Sequence, residues 1–215
     1  MKYSDLFIVQ ECKVLKRPYK ATLYGLLFLI LLMGTSGANA FLSKSAPLQS
    51  NVLVVEGWLP DYALLKAVDI YYEEGYTHII TTGGPLPIGS YLKEYKDYAY
   101  LAKSSLLKMG MKEEQVIAVN SAEVKRDRTY HSALALKEWM KINMKEVKTL
   151  NLASLGPHTR RSHLLYEKAF GESMEVGAIA IEPKDYDPQR WYSSSAGVRT
   201  TINELIGYIY VLLLK

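Results

Sequence analysis

The chain has 215 residues, 49% hydrophobic and 22% charged, with 26 lysines and arginines against 22 acids for a formal net charge of +4. That length fits one folded domain with a small appendage, and a modest charge without long runs of one sign excludes a nucleic-acid-binding arm. The single cysteine, Cys12, excludes an intrachain disulfide and a cysteine-based zinc site.

Residues 1–20 read as an N-terminal segment on the cytoplasmic side, because Lys13, Lys16, Arg17 and Lys20 precede an uncharged stretch and only Lys44 follows it closely. Residues 21–40 are expected to form a transmembrane anchor or a signal segment. The apolar core from Leu23 to Met33 reaches the ~20 residues of a span only by taking in Thr35, Ser36 and Asn39. Ala38-Asn39-Ala40 also has the small-x-small form of a signal-peptidase site. The retained anchor, the cleaved signal and a buried core helix are the three readings of this segment, and the long basic region before it favours the anchor. Either of the first two puts the bulk of the chain outside the bacterial cytoplasmic membrane. Residues 41–50 read as a linker and 51–215 as the folded domain.

Within the domain, the β-branched run 52–55 is a buried strand ending at Glu56-Gly57-Trp58. A helix follows from Asp61, stopped by Gly75. A second strand, 78–82, closes on Gly83-Gly84-Pro85, and the spacing of Tyr95, Tyr98, Ala102, Leu106 and Met109 predicts a helix over 91–109. Strands are expected at 116–119, 149–154 and 175–181, with helices over 128–141 and from Thr159, and a last, unusually apolar helix over 196–214 that either completes the core against the sheet or docks on a partner or the bilayer. This alternation predicts an α/β fold: a three-layer, Rossmann-like, doubly wound and mostly parallel sheet of about five strands.

Ligands of such sheets bind outside the carboxyl ends of the strands, and four segments fall there. Glu56 is the only carboxylate directly at the end of the first strand and suits a proton acceptor, with Trp58 beside it as a stacking face or a core anchor. Gly83 and Gly84 offer backbone amides to an oxyanion, or form a plain turn. Arg128 and Arg161 suit two-pronged binding of phosphate or carboxylate, or surface ion pairing. Asp127 and Thr129 serve the site or cap the helix they begin. His158 is a candidate proton carrier or anion donor at the junction that also holds Arg160, where free amides and the helix dipole favour an anion. The histidines lack helical zinc spacing, and neither a G-x-S-x-G elbow nor a Walker motif is present, so no metal or cofactor is expected.

In the order and spacing of the first strand, the Gly83-Gly84 turn, the Gly110 stop, Arg128-Thr129 with Ser132-Ala133, and His158 to Arg161, the chain resembles the YdcF-like family. The resemblance covers about residues 51–181 and includes the SanA- and ElyC-like envelope proteins. It implies a Rossmann-like domain tethered by one N-terminal helix and associated with envelope precursors, its reaction unassigned. Glu56-Gly57-Trp58 stands where that family has a glycine-rich first loop, and only Glu94 or Asp97 matches its acidic residue early in the second helix. The expected function is binding, with or without hydrolysis or transfer, of a phosphate- or pyrophosphate-bearing precursor. In it, Arg128 and Arg161 hold the anion, Gly83 and Gly84 line it, and His158 with Glu56 handles protons. The alternatives are an envelope scaffold that docks a partner through the C-terminal apolar helix, and a cytoplasmic-side nucleotide binder of reversed topology.

Overall fold

The computed structural model describes residues 16–87 and 94–214. The chain divides between Gly37 and Ala38 into two compact units. The first contains helix α1 (Arg17–Ser36), whose first turn takes in Arg17 and Lys20. Among the described residues no helix is long and apolar enough to cross a membrane, so the expected spanning helix is not supported.

The second unit, Ala38–Lys215, opens with the short helix α2 (Ala38–Leu42). It continues through β1 (Val52–Glu56), α3 (Asp61–Glu73), β2 (His78–Gly83), α4 (Tyr98–Lys108), β3 (Val116–Asn120) and α5 (Arg128–Asn143). It ends with β4 (Thr149–Leu155), α6 (His158–Phe170), β5 (Glu175–Ile181) and α7 (Ser195–Leu214). Among the described residues the five strands form one all-parallel sheet in the order β3-β2-β1-β4-β5. The expected α/β class and parallel sheet are therefore the observed ones.

Side-chain alternation sorts the core. Leu53 and Val55 of β1 face α3 and α4 in one apolar cluster, while Val52 and Val54 face α5 and α6 in the other. Every residue of β1 is buried, and each aliphatic one so placed stabilises the fold by about 1.5–3 kcal/mol. The chain winds from β1 out to β3, crosses back through α5 to β4, and winds out to β5. The loops leaving β1 and β4 thus turn to opposite faces and open a crevice between the two strand ends.

Three expectations are corrected. The second helix starts at Tyr98, because Asp97 is extended and its carboxylate accepts from the Tyr100 amide, 2.9 Å, as the helix cap; Tyr91 lies outside the described residues. Residues 41–50 are packed on the domain instead of forming a free connection. Ala46 pairs antiparallel with Ala178 on the open edge of β5, and the Asn151 side chain binds both the amide and the carbonyl of Leu48. Helix α7 packs on α6, α2 and the 3-10 turn at Pro188–Ser193 and so lies outside the three layers.

Candidate functional site

The crevice between β1 and β4 is where the fold concentrates its buried charge. Glu56, the last residue of β1, is 4% exposed. Its carboxylate accepts from the hydroxyl of Ser154 on β4 and from that of Ser162 on α6, the latter at 3.2 Å to both oxygens. Burial pushes the Glu56 pKa up, but the charge and contact of His158, the Ser154 hydroxyl and the Arg161 charge outweigh it and hold the carboxyl below its usual range.

His158 opens α6. Gly156 just before it takes a φ of +43°, a conformation that needs no Cβ, and its amide donates to the Ile181 carbonyl, 2.8 Å, so the β4–α6 turn is fixed from the neighbouring strand. The imidazole lies between two carboxylates. Nδ1 is 2.9 Å from Oε1 of Glu204 on α7, and Nε2 is 3.6 Å from Oε1 of Glu56. The second distance is an ion-pair contact, too long for a hydrogen bond, and it leaves Nε2 as a buried polar atom with no hydrogen-bond partner among the described residues. Burial opposes the imidazolium, yet Glu56 and Glu204 together raise its pKa from 6.5 to about 9.

Arg161, one turn along α6, closes the cluster. Its Nε donates to Glu204 Oε2 at 2.7 Å and its Nη2 to Oε1 at 3.1 Å, a two-pronged grip. Nη2 also approaches His158 Nδ1, 3.0 Å. A guanidinium only donates, so with His158 protonated both donors converge on Glu204. Burial pushes the Glu204 pKa up, and the bonds from His158 and Arg161 reverse that, bringing it down from 4.5 to about 2.

A cleft of about 330 Å³ adjoins the cluster. Leu155, Pro157 and His158 line it from the β4–α6 junction, Pro183, Asp185 and Tyr186 from the loop after β5, and Arg199, Thr200, Asn203 and Glu204 from α7. Trp58 stands at its lip, 38% exposed, its ring edge-on to His158 with centroids 4.9 Å apart. Gly57 before it has a packing role. A Cβ there would lie 2.3 Å from the Tyr98 carbonyl oxygen, and its amide donates to the Thr82 carbonyl at 2.7 Å.

The candidates read from sequence therefore separate. Glu56, Trp58, His158 and Arg161 come together. Gly83 and Gly84 are turned to packing: a Cβ on Gly83 would lie 2.6 Å from that of Tyr98, and the Gly84 carbonyl accepts from the Tyr98 amide at 3.0 Å. Arg128 is exposed at the start of α5 and Thr129 half-buried beside it, and neither lines the cleft. Asp127 precedes α5 in a left-handed conformation, and its side chain makes no cap bond; its charge favours the Arg161 cation. Arg160 faces the other way, over the Phe41 ring at 3.9 Å and bonded to the Phe41 carbonyl. Among the described residues no cluster of three histidine, cysteine or acidic side chains is placed to hold a metal ion.

Sequence reasoning missed Ser154, Ser162, Glu204 and Arg199. Glu204 carried a signal: it is the one carboxylate of a helix whose second half is almost wholly apolar, where a charge needs a buried partner. The chain matches no known family model, and no curated protein matches it.

Proposed function

We propose that the chain is an envelope protein of YdcF-like type that binds a phosphate- or pyrophosphate-bearing precursor in the cleft between the β4–α6 junction, the loop after β5 and α7. The observation that carries this reading is the convergence of His158 and Arg161, both in the first turn of α6, on one carboxylate beside an open cleft. A helix N-terminus with two cationic donors is suited to a phosphate group. The position is also the switch point at which sheets of this order take ligands. Arg161 and Arg199 replace Arg128 as the anion-binding cations in this reading.

His158, cationic at neutral pH and braced by Glu56, is set to donate a proton to a departing phosphate oxygen in hydrolysis or transfer. Trp58 and Tyr186 supply aromatic walls for the rest of the ligand. Calorimetric titration of the full chain with inorganic pyrophosphate tests the reading. Losing a two-pronged, charge-assisted contact of about 1.5–3 kcal/mol, Arg161→Ala is expected to weaken binding by at least tenfold, and exposed Arg199→Ala to weaken it less. Equal affinity in wild type and Arg161→Ala would sink it.

The envelope location rests on the basic residues before the apolar N-terminal segment. Retention of that segment over cleavage after Ala40 is supported by Asn39, which is 1% exposed and donates to Thr201 at 2.8 Å and to the Tyr186 hydroxyl at 3.0 Å. A chain cut after Ala40 would lose those bonds.

A second reading, a docking protein, is favoured by one observation. Val198, Ile202, Ile206, Ile209 and Leu213 form an exposed stripe along α7 at helical spacing. Ile206→Asp with Leu213→Asp would abolish association with membranes or partners under this reading and leave pyrophosphate binding intact.

A further inference from the structure

The carboxylate of Glu204 stands where a ligand anion would stand. It accepts from Arg161 Nε, Arg161 Nη2 and His158 Nδ1 at 2.7, 3.1 and 2.9 Å. That is the donor set assigned to phosphate above, seated on the first turn of the 13-residue helix α6. The four charges of Glu56, His158, Arg161 and Glu204 cancel, so an anion from solution meets a neutral cluster. If Glu204 withdraws, the other three carry a net positive charge.

The local packing lets Glu204 leave while the seat stays in place. Arg161 is positioned by backbone as well as by its partner: the side chain crosses α7 at Gly207, where a Cβ would lie 3.0 Å from Arg161 Cδ and Nε. His158 is held from below by the Gly156 turn and faces Glu56. Glu204 itself lines the cleft, so a change of rotamer carries its carboxylate into open space. It belongs to a helix outside the three layers of the domain, tied there by bonds at other positions, from Asn39 to Thr201 and from Lys168 to the Val211 carbonyl at 3.1 Å.

We propose that Glu204 is a built-in stand-in for the ligand's anionic group, which a phosphate must displace from Arg161 and His158. The proposal rests on the cleft being a phosphate site and adds that α7 sets its affinity and selectivity. A weak or singly charged anion does not expel a carboxylate held by three donors. A pyrophosphate, with more charge and more oxygens, competes effectively.

Removal of the carboxylate then tightens binding. Calorimetry with inorganic pyrophosphate is expected to give Glu204→Gln a Kd at least tenfold below that of wild type, and the double variant Glu204→Gln/Arg161→Ala no such gain. In the wild-type chain, pyrophosphate saturation is expected to raise the pKa of the Glu204 carboxyl toward the ordinary carboxylate range, read from its carbon-13 resonance. That measurement needs no substitution and so stands even if the variant folds poorly. Equal or weaker binding by Glu204→Gln, or an unmoved Glu204 resonance at saturation, overturns the stand-in role; loss of binding in Arg161→Ala would still leave the phosphate site in place. Absence of binding by every form, wild type included, overturns both.

Discussion

Raising the pH removes the proton from His158 and so takes apart the buried cluster on which the site depends. In the folded chain this group titrates near pH 9, against an ordinary value of 6.5. Because the folded value is the higher one, the stabilisation is fully present below pH 6.5 and disappears as the pH rises through 9. The difference corresponds to about 3 kcal/mol at 1.36 kcal/mol for each pH unit. For a domain of this size that is a fall in Tm of roughly 6–12 °C.

Among the described residues the window belongs to His158. The pKa of His163 is lowered by burial, so its contribution is lost on acidification below 6.5, and the perturbed tyrosines, Tyr71, Tyr76, Tyr166 and Tyr186, are pushed by burial above 10. Thermal unfolding followed by circular dichroism from pH 6.5 to 9.5 is the assay, with His158→Gln alongside. The wild-type Tm is expected to fall through this range and that of the variant to stay nearly level. A level wild-type curve, or an equal slope in both proteins, would refute the imidazolium between two carboxylates.

Three further outcomes follow from named contacts. Gly57→Ala forces a methyl group against the Tyr98 carbonyl; denaturant titration is expected to show a loss of about 1–3 kcal/mol or more, the usual cost of overpacking. Asn39→Ala leaves Thr201 and Tyr186 without their amide donor; a loss of about 1–3 kcal/mol is expected, whereas an unchanged midpoint would show that α2 adds nothing to the fold. Acidification from pH 4.5 toward 2 protonates Glu204, and since its folded value is the lower one, stability is expected to fall across that interval. Glu204→Gln should lack this component of the acid limb in the same unfolding assay.

The strands and most helices of the domain were legible in the sequence because two-sided burial leaves an unmistakable record. Val52 to Val55 has no polar interruption, and Gly75 and Gly110 stand where α3 and α4 end. The start of α4 was not legible: the apolar spacing runs back through Tyr95, and only the extended Asp97 backbone stops the helix. Residues 41–50 read as a linker because they lack any period. They are held by backbone pairing to β5 and by one asparagine, contacts without a sequence rhythm.

At the site, Glu56, His158 and Arg161 were found because strand ends and helix starts are marked in sequence. Glu204 approaches from a helix beyond the sheet, 46 positions from His158, and only tertiary packing brings it there. The Gly83-Gly84 turn shows what a glycine pair leaves open in sequence, a close approach without the identity of what approaches. Gly83 admits a close neighbour, Tyr98, and Gly84 packs beside Ser121, both of the same domain.

In the proposed reading Arg161 and His158 form the anion seat. Crystals of the full chain soaked with tungstate, a heavy phosphate analogue, locate that seat through the anomalous signal of the metal. The expected result is a peak within hydrogen-bonding reach of Arg161 and His158, with the Glu204 carboxylate turned away. A peak at Arg128 and the amides of Gly83 and Gly84, with the Glu204–Arg161 pair undisturbed, would rule out Arg161 and His158 as the seat.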